Sequence, residues 1–361
     1  MEENKNLAKM LERERIPYRK NLNLKNITYS STGNNVDYYI QPISKQQLVL
    51  LIQELNKLKI KFLICGGTTN LLFLDFIDYG CIVNTSLLSD FSIDESGITV
   101  SSGVELSKFV RLCLIHGCIG FEGLEGIPGS IGGAVFQNAG AYGYLISDLI
   151  VRVRCCDYNG NLFTLTKENC DFKKRSSIFQ SKDYIILDIE FKIKKGDIHQ
   201  AEKKIEMFHI ARHSYQEWVY PNLGSVFVTD TNVYDSFSKK NILYKIILFM
   251  IKLISNNPIY KRWFRKSPSN KLKNLATQKL ITDKISPHIY SHKSINTFTN
   301  RNNKSIDIVK YYFEMFLHLG DDAKLENEIV FSSISRIINK PDYDEFNSII
   351  SKNEKIKNKI K

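Results

Sequence analysis

Proline is scarce, with 8 in 361 residues, and the 19 glycines fall short of any Gly-X-Y repeat. Proline-rich and collagen-like chains are thereby excluded. No apolar run reaches the roughly 18 to 20 residues that a membrane-spanning helix requires, so no transmembrane anchor is expected. The opening MEENKNLAKMLERERIPYRK lacks the apolar stretch of a secretory signal, which leads us to expect a cytoplasmic protein. Cysteine forms no C-x-x-C pair. The seven, Cys65, Cys81, Cys113, Cys118, Cys155, Cys156 and Cys170, lie in apolar or mixed surroundings and read as small core residues, so neither a disulfide framework nor a metal site is expected. Acidic residues are nearly missing from one region. Residues 236–310 hold 16 Lys and Arg against 2 Asp and Glu, a balance of +14, which leaves the remainder near −2 in a total of +12. No nucleic-acid-binding motif accompanies this charge, so no nucleic-acid partner is expected. Surface lysine without a special task, or a basic face for anionic lipid or a phosphorylated substrate, accounts for it.

What is present is a globular composition, 43% hydrophobic and 24% charged. The length allows two or three domains of roughly 100 to 150 residues each. After a charged leader, 36–42 reads as a strand ended by Pro42, and Ser44 caps a helix over 46–58. A short strand at 61–65 runs into Gly66-Gly67-Thr68-Thr69-Asn70-Leu71-Leu72, and the order strand, helix, strand, glycine turn predicts a small α/β unit. Strands follow at 80–84 and 97–101, then a helix over 105–116. The middle of the chain is sheet-rich, with strands at 149–156, 161–165 and 184–193. A helix spans 198–212, the last clear helix 306–317 and the last clear strand 325–331, before a Lys- and Asn-rich tail.

Between Gly120 and Gly143 lies GFEGLEGIPGSIGGAVFQNAGAYG, in which 8 of 24 residues are glycine. Backbone without Cβ atoms can approach a ligand closely and turn N–H groups toward it, as a pyrophosphate requires. One Gly-Gly pair is as readily a tight turn, but two such loops, here and at 66–71, point to a phosphate cradle. The spacing is neither G-x-G-x-x-G nor a P-loop, which disfavours a classical dinucleotide fold.

Five motifs in order, GGTTNLL at Gly66, GLEGIPGSIGGAVFQNAGAYG at Gly123, RSSIF at Arg175, YPNLGSVF at Tyr220 and LENEIVF at Leu325, give the chain a clear resemblance to the UDP-N-acetylenolpyruvoylglucosamine reductases. The resemblance implies an α+β fold. A two-subdomain FAD-binding unit of the p-cresol-methylhydroxylase/vanillyl-alcohol-oxidase type would span 26–196 (subdomains about 26–85 and 86–196). A C-terminal α+β substrate-binding domain would span 197–340, with an insertion at 232–275, a 1–25 extension before and a 341–361 polar tail after. It implies non-covalent FAD, NADPH as co-substrate, and reduction of the enolpyruvyl ether of a UDP-sugar to a lactyl ether in cell-wall precursor synthesis. FAD contacts would come from Gly66, Gly67, Thr68, Thr69, Asn70, Leu71, Gly129, Ser130, Gly132, Gly133, Ala134, Asn138, Ala139 and Gly140. Cys65, beside the first loop, is expected in the core and not as a flavin attachment point.

The resemblance assigns Ser225 as proton donor to the α-carbon, and Arg175 and Glu328 as stabilisers of the developing acid-enolate. The residue types suit those tasks: a guanidinium offers a fork of donors, and a carboxyl group can join the network if its surroundings raise its pKa. Taken alone, Ser225 is also an ordinary turn serine, Arg175 follows Lys173 and Lys174 where the family carries an aromatic residue, and Glu326 is a near neighbour from which the Glu-Ile-Val-Phe register selects Glu328. Substrate contacts are implied for Tyr142, Asn222, Thr229 and Asn296. The chain departs from the family pattern at Val228-Thr229-Asp230, which replaces Lys-Asn-Pro, at Ser294, in place of a histidine, and at 280–286, a reduced glycine-rich segment. A flavin oxidoreductase of the same fold acting on another glycan or alcohol, or a degenerate flavin-binding membrane-peripheral protein, would carry many of the same motifs.

The insertion contains an apolar run of about 13 residues, roughly 20 Å as a helix, short of a bilayer's hydrocarbon core of about 30 Å. Lys245 and Lys252 share one face, Leu243, Ile246, Ile247, Met250 and Leu253 cover much of the rest, and KRWFRK follows at 261–266. A helix lying in an anionic membrane interface through 236–270, and a helix packed on the protein itself or on a second copy, both fit.

Overall fold

The computed structural model describes residues 2–257, 269–281, 289–331 and 336–361. They form two compact units: Met1–Leu22, Asn35–Thr68 and Tyr79–Ala211 make the first, and Asn23–Asn34, Thr69–Asp78 and Arg212–Lys361 the second. Both combine helices with sheet, as expected of an α+β fold.

The chain opens with helix α1 (Glu2–Arg13) and strand β1 (Tyr18–Asn23), then β2 (Asn35–Ile40), α2 (Lys45–Lys57), β3 (Leu63–Cys65), β4 (Leu71–Phe73) of the second unit, and β5 (Ile77–Asn84). Strands β2 and β3 flank β5 in parallel, with Ile82 and Val83 paired on both sides, and β1 extends the sheet beyond β2. Ser44 caps α2, its hydroxyl accepting from the Gln47 N–H at 3.1 Å. Leu48, Leu51, Ile52 and Leu55, at helical spacing, face the core.

A second, antiparallel sheet follows: β6 (Phe91–Asp94), β7 (Gly97–Ser101), β10 (Ile150–Asp157), β11 (Leu162–Thr166) and β12 (Tyr184–Phe191), in the order β11-β10-β12-β7-β6. Between β7 and β10 come α3 (Leu106–Ile115), α4 (Ile131–Phe136) and the two-residue strands β8 (Gly140–Ala141) and β9 (Tyr144–Leu145). Phe109 of α3 packs edge-on against Phe121 and tilted against Phe191, with ring centres 4.9 and 5.0 Å away. The two sheets share a core, because Cys156, Ile185 and Leu187 of the second cluster with Val83 of the first and with Leu48 and Leu51 of α2. Asp188, nearly buried on β12, accepts from Lys45 of α2 at 2.9 Å and from Arg154 of β10. All seven cysteines are buried and free.

In the second unit, β13 (Phe227–Val228) pairs with β14 (Lys324–Leu325), and β15 (Glu328–Val330) runs parallel to β4. Helix α5 (Ile198–Tyr215) carries the chain from the first unit into the second. The insertion is helical: α6 (Val233–Lys240), α7 (Ile242–Asn256) and α8 (Ser269–Ile281), the last running beyond the expected end at 275. KRWFRK at 261–266 and residues 282–286 of the reduced glycine-rich segment lie outside the described residues. Helix α9 (Ser305–His318), strand β16 (Arg336–Ile337) and helices α10 (Lys340–Lys352) and α11 (Glu354–Lys357) complete the unit.

Three boundaries differ from the sequence-based expectation. Residues 1–25 are no mere extension, since α1 buries Leu7 and Leu11 completely in the core of the first sheet. Residues 341–361 are no mere tail either: α10 buries Phe346, α11 buries Ile356, and Ile329 donates its N–H to the Lys359 carbonyl and accepts from the Lys361 N–H, each at 2.8 Å. The expected split near 196 falls instead at 211, and two excursions, 23–34 and 69–78, belong with the C-terminal unit. Leu11→Ala should therefore lower the unfolding free energy by about 2 to 5 kcal/mol, the cost of a core leucine, measured by urea titration; a loosely attached leader would give no change.

Candidate active site

In the first unit the two glycine loops abut. A Cβ on Gly67 would lie 3.0 Å from the Gly129 Cα, and one on Gly66 would strike the Ser130 hydroxyl. The 120–143 run is less of an open loop than its composition suggests, because 131–136 coil into α4. Ser130 caps that helix by accepting from the Gly133 N–H at 3.3 Å, and the Ile131 and Gly132 N–H groups donate to Val104 and Ser102 carbonyls at 2.8 and 2.7 Å. A cradle made of every N–H in the run is therefore not what forms. What lines these loops includes buried polar atoms: Ser102 Oγ and Asn138 Oδ1 have no hydrogen-bond partner among the described residues. Uncompensated buried polar atoms are costly and call for a polar ligand, so this neighbourhood suits a cofactor rich in hydroxyl and phosphate groups. Ser102 was invisible in sequence, where it is one serine after a strand. Cys65 is buried, and burial pushes its thiol up to about 12, unsuited to a nucleophile that attaches flavin.

Arg175 hangs from the same helix. Lys173 and Ser176 exchange backbone hydrogen bonds of 2.9 and 3.1 Å, making 174–175 the tip of a tight turn. That turn is fastened to the end of α4: the Asn138 side-chain N–H₂ donates to the Lys173 carbonyl at 2.9 Å, and the Ser177 hydroxyl and Gln180 amide donate to the Phe136 carbonyl. Lys173 and Lys174 are exposed while Arg175 is half-buried. Thr68, Asn138, Tyr142 and Arg175 all have positive φ, between 44° and 56°. Such backbone is disfavoured, most of all for a β-branched residue like Thr68, and it gathers where function demands it. Tyr142 stacks on Phe208 of α5, ring centres 4.4 Å apart, with its hydroxyl donating to the Phe208 carbonyl at 3.2 Å. Beside it Glu125, nearly buried, is held by Arg111 at 2.8 Å and by His209.

Thr69, Asn70 and Leu71 belong to the second unit, where Asn70 and Leu71 meet Glu328. Leu71 pairs with Glu328 in the β4/β15 ladder, the Glu328 N–H donates to the Asn70 carbonyl at 3.0 Å, and the Asn70 amide donates to the Glu326 carbonyl at 3.1 Å. Buried Asn327 donates to Asn70 Oδ1 and to the Leu223 carbonyl, and accepts from the Tyr312 hydroxyl. Ser225 is exposed on the turn before β13, and the Glu326 N–H donates to the Val226 carbonyl at 2.7 Å. One hydrogen bond thus has Ser225 a residue away on one segment and Glu328 two residues away on the other.

The side chains of Asn222 and Asn296, expected at the substrate, are engaged with backbone on either side of Ser225. Asn222 donates to the Tyr220 carbonyl at 2.8 Å and accepts from the Gly224 N–H at 2.9 Å. Asn296 accepts from the Phe227 N–H at 2.8 Å and donates to its carbonyl at 2.9 Å. Both hold the serine turn in place. Thr229 donates to the Thr231 carbonyl. Sequence reading missed Lys361, whose ammonium lies 2.6 Å from Glu328 Oε2. Burial pulls the Lys361 pKa down, opposed by the Glu328 charge. Among the described residues, no cluster of three or more His, Cys, Asp and Glu is placed to hold a metal ion.

Residues 36–166 match the family described as FAD binding domain. The UDP-N-acetylenolpyruvoylglucosamine reductase of Caldanaerobacter subterraneus subsp. tengcongensis is 34% identical over 204 residues, 56% of this chain and 68% of that protein. The chain belongs to the UDP-N-acetylenolpyruvoylglucosamine reductase family. The enzyme of that name from Streptococcus uberis is 31% identical over 212 residues, 59% of this chain and 70% of its own length. A crystal structure of the enzyme from Thermus caldophilus shares the fold, with a TM-score of 0.63, 18% identity, and coverage of 87% of this chain and 98% of that one. The protein is thus an FAD-dependent oxidoreductase.

The Glu328–Lys361 pair makes a test of the geometry. Glu328→Gln and Lys361→Met each strand one member of an ion pair whose carboxylate is buried, whereas the double variant removes both. The double-mutant cycle should therefore show a coupling of at least about 1 kcal/mol in unfolding free energy; additive effects would mean that the two groups do not meet.

Proposed function

We propose that this protein reduces the enolpyruvyl ether of UDP-N-acetylglucosamine to the lactyl ether, UDP-N-acetylmuramate, with NADPH as hydride source, in cell-wall precursor synthesis in the cytoplasm. The first unit would hold FAD, non-covalently, and the second the nucleotide-sugar. The observation that supports this reading is the hydrogen bond from the Glu326 N–H to the Val226 carbonyl beside the β13/β14 pair, which has Ser225 one residue and Glu328 two residues from its ends, in a chain of this family.

When bound, FAD supplies hydride chemistry toward the β-carbon of the enolpyruvyl group. The residues then have to manage the charge and the proton that follow. Ser225, exposed and held by Asn222 and Asn296, is the proposed proton donor to the α-carbon. Arg175, at the tip of its clamped turn, is the proposed partner of the substrate carboxylate as it gains acid-enolate character, a task for which a planar fork of donors is suited. Glu328 is proposed to act at the same charge together with the Lys361 ammonium paired to it, the ammonium supplying the positive charge that a carboxylate alone would not bring. Tyr142 and Thr229 remain proposed substrate contacts, while Asn222 and Asn296 act through the turn that they hold.

Ser225→Ala should leave flavin bleaching by NADPH nearly intact. It should slow the recovery of the yellow colour on addition of the enolpyruvyl UDP-sugar by at least about 10²-fold, the usual worth of a general acid, in anaerobic stopped-flow. Equal damage to both halves would move Ser225 from chemistry to folding, and a wild-type flavin that the UDP-sugar never reoxidises would sink the proposal itself. Acid precipitation should release all the flavin into the supernatant; flavin retained on the denatured chain would contradict a non-covalent cofactor.

A further inference from the structure

Helix α7 exposes more large apolar residues than it buries. Its inner stripe is Tyr244, Leu248 and Ile251. The Tyr244 hydroxyl shares a 2.6 Å hydrogen bond with Thr277 of α8, and its ring meets Phe237 of α6 at 5.9 Å. These contacts use one side only. At 100° per residue, Ile242, Leu243, Ile246, Phe249, Met250 and Leu253 fall in one arc of about 120° on the other side, and each is between 51% and 80% exposed. Single exposed apolar residues are ordinary; a continuous helical face of six marks a contact surface.

Charge indicates what covers it. The described parts of the insertion, 232–257 and 269–281, carry seven lysines and one acid, Asp235. Lys239 and Lys240 pair with Asp322 and Asp321, and Lys252 with Asp235 at 3.5 Å, while Lys245, Lys271 and Lys273 add further positive charge. Lys245 and Lys252 stand together along one border of the apolar arc. The sequence between, 258–268, adds four cations and no acid, and lies outside the described residues. An apolar face bordered by cations complements a surface that is apolar beneath an anionic layer. A second copy of the chain would bring the same cations against its own, which is unfavourable. The helix has 15 residues, about 22 Å at 1.5 Å each, too short to cross a hydrocarbon core of about 30 Å. Among the described residues no helix is long and apolar enough to cross. We propose that α7 docks the protein on an anionic lipid bilayer, lying in the plane of the interface with the Ile242, Phe249 and Leu253 side in the acyl boundary and Lys245 at the headgroups.

The test is co-sedimentation of the full-length, flavin-loaded protein with vesicles of equal parts phosphatidylglycerol and phosphatidylcholine. At low salt the protein should pellet, and at about 0.5 M salt, where screening shortens the reach of charge to a few ångströms, the bound fraction should fall several-fold. Vesicles of phosphatidylcholine alone should bind weakly. The double variant Phe249→Asp with Leu253→Asp should lose about tenfold or more of the binding, because it breaks the apolar face, while NADPH still bleaches its flavin at the wild-type rate. A wild-type protein that stays in the supernatant at low salt, or a double variant that binds equally well, overturns the proposal. So does a wild-type dimer in gel filtration that the double variant splits, without vesicle binding, since the face would then join two copies.

Discussion

A side chain at Gly132 would put its Cβ 2.8 Å from the Ser102 Cβ and 3.0 Å from the Ser102 carbonyl oxygen, both inside van der Waals contact. That steric limit governs much of the first unit. It lets α4 sit against 102–104 closely enough for its first N–H groups to be satisfied there, and the end of α4 then fixes everything downstream. The Phe136 carbonyl receives the Ser177 hydroxyl and the Gln180 amide, and Asn138 reaches the Lys173 carbonyl, so the Arg175 turn inherits its place from a glycine forty residues earlier. Glycine is a poor helix former, and its use inside a helix here is the cost of that close approach.

The parts of the fold that could be read from sequence are those whose signal is local. Ser44 with Leu48, Leu51, Ile52 and Leu55 announces α2, and the strands at 97–101, 184–191 and around 150–157 stand between clear turn signals. The misses have physical reasons. Helix α1 is mostly charged, and its few apolar residues, Leu7, Met10 and Leu11, were outweighed by the composition around them although they are buried on one side. Helix α4 was hidden by its glycines, a case of packing overriding propensity. Residues 341–361 read as polar because only one residue in several, such as Phe346 and Ile356, does the anchoring.

Site residues show a similar split. Motif order named the glycine loops, Arg175, Ser225 and Glu328 as candidates, but a motif does not separate a residue that meets substrate from one that holds such a residue in place. Asn222 and Asn296 belong to the second kind in their observed contacts, since each spends both ends of its amide on backbone beside the serine turn. Lys361 had no signal at all. A lysine in a Lys-rich stretch looks like solvent-facing charge until the strand pairing of 359–361 with 329–331 turns it toward Glu328.

The second unit is discontinuous, and the two short excursions that it takes from the early part of the chain have a kinetic consequence. Asn70 bonds to Asn327 across 257 residues of sequence. Closing a loop of that length is entropically dear before any contact rewards it, and folds built on such distant pairings form slowly. On a ribosome the segments of the first unit are all available once residue 211 has emerged, while β4 must wait for a partner strand more than a hundred residues later. The apolar residues Leu72 and Phe73, buried in the finished unit, are left uncovered by β15 during that interval, so maturation of this protein has a long vulnerable stage in which its second unit cannot yet close.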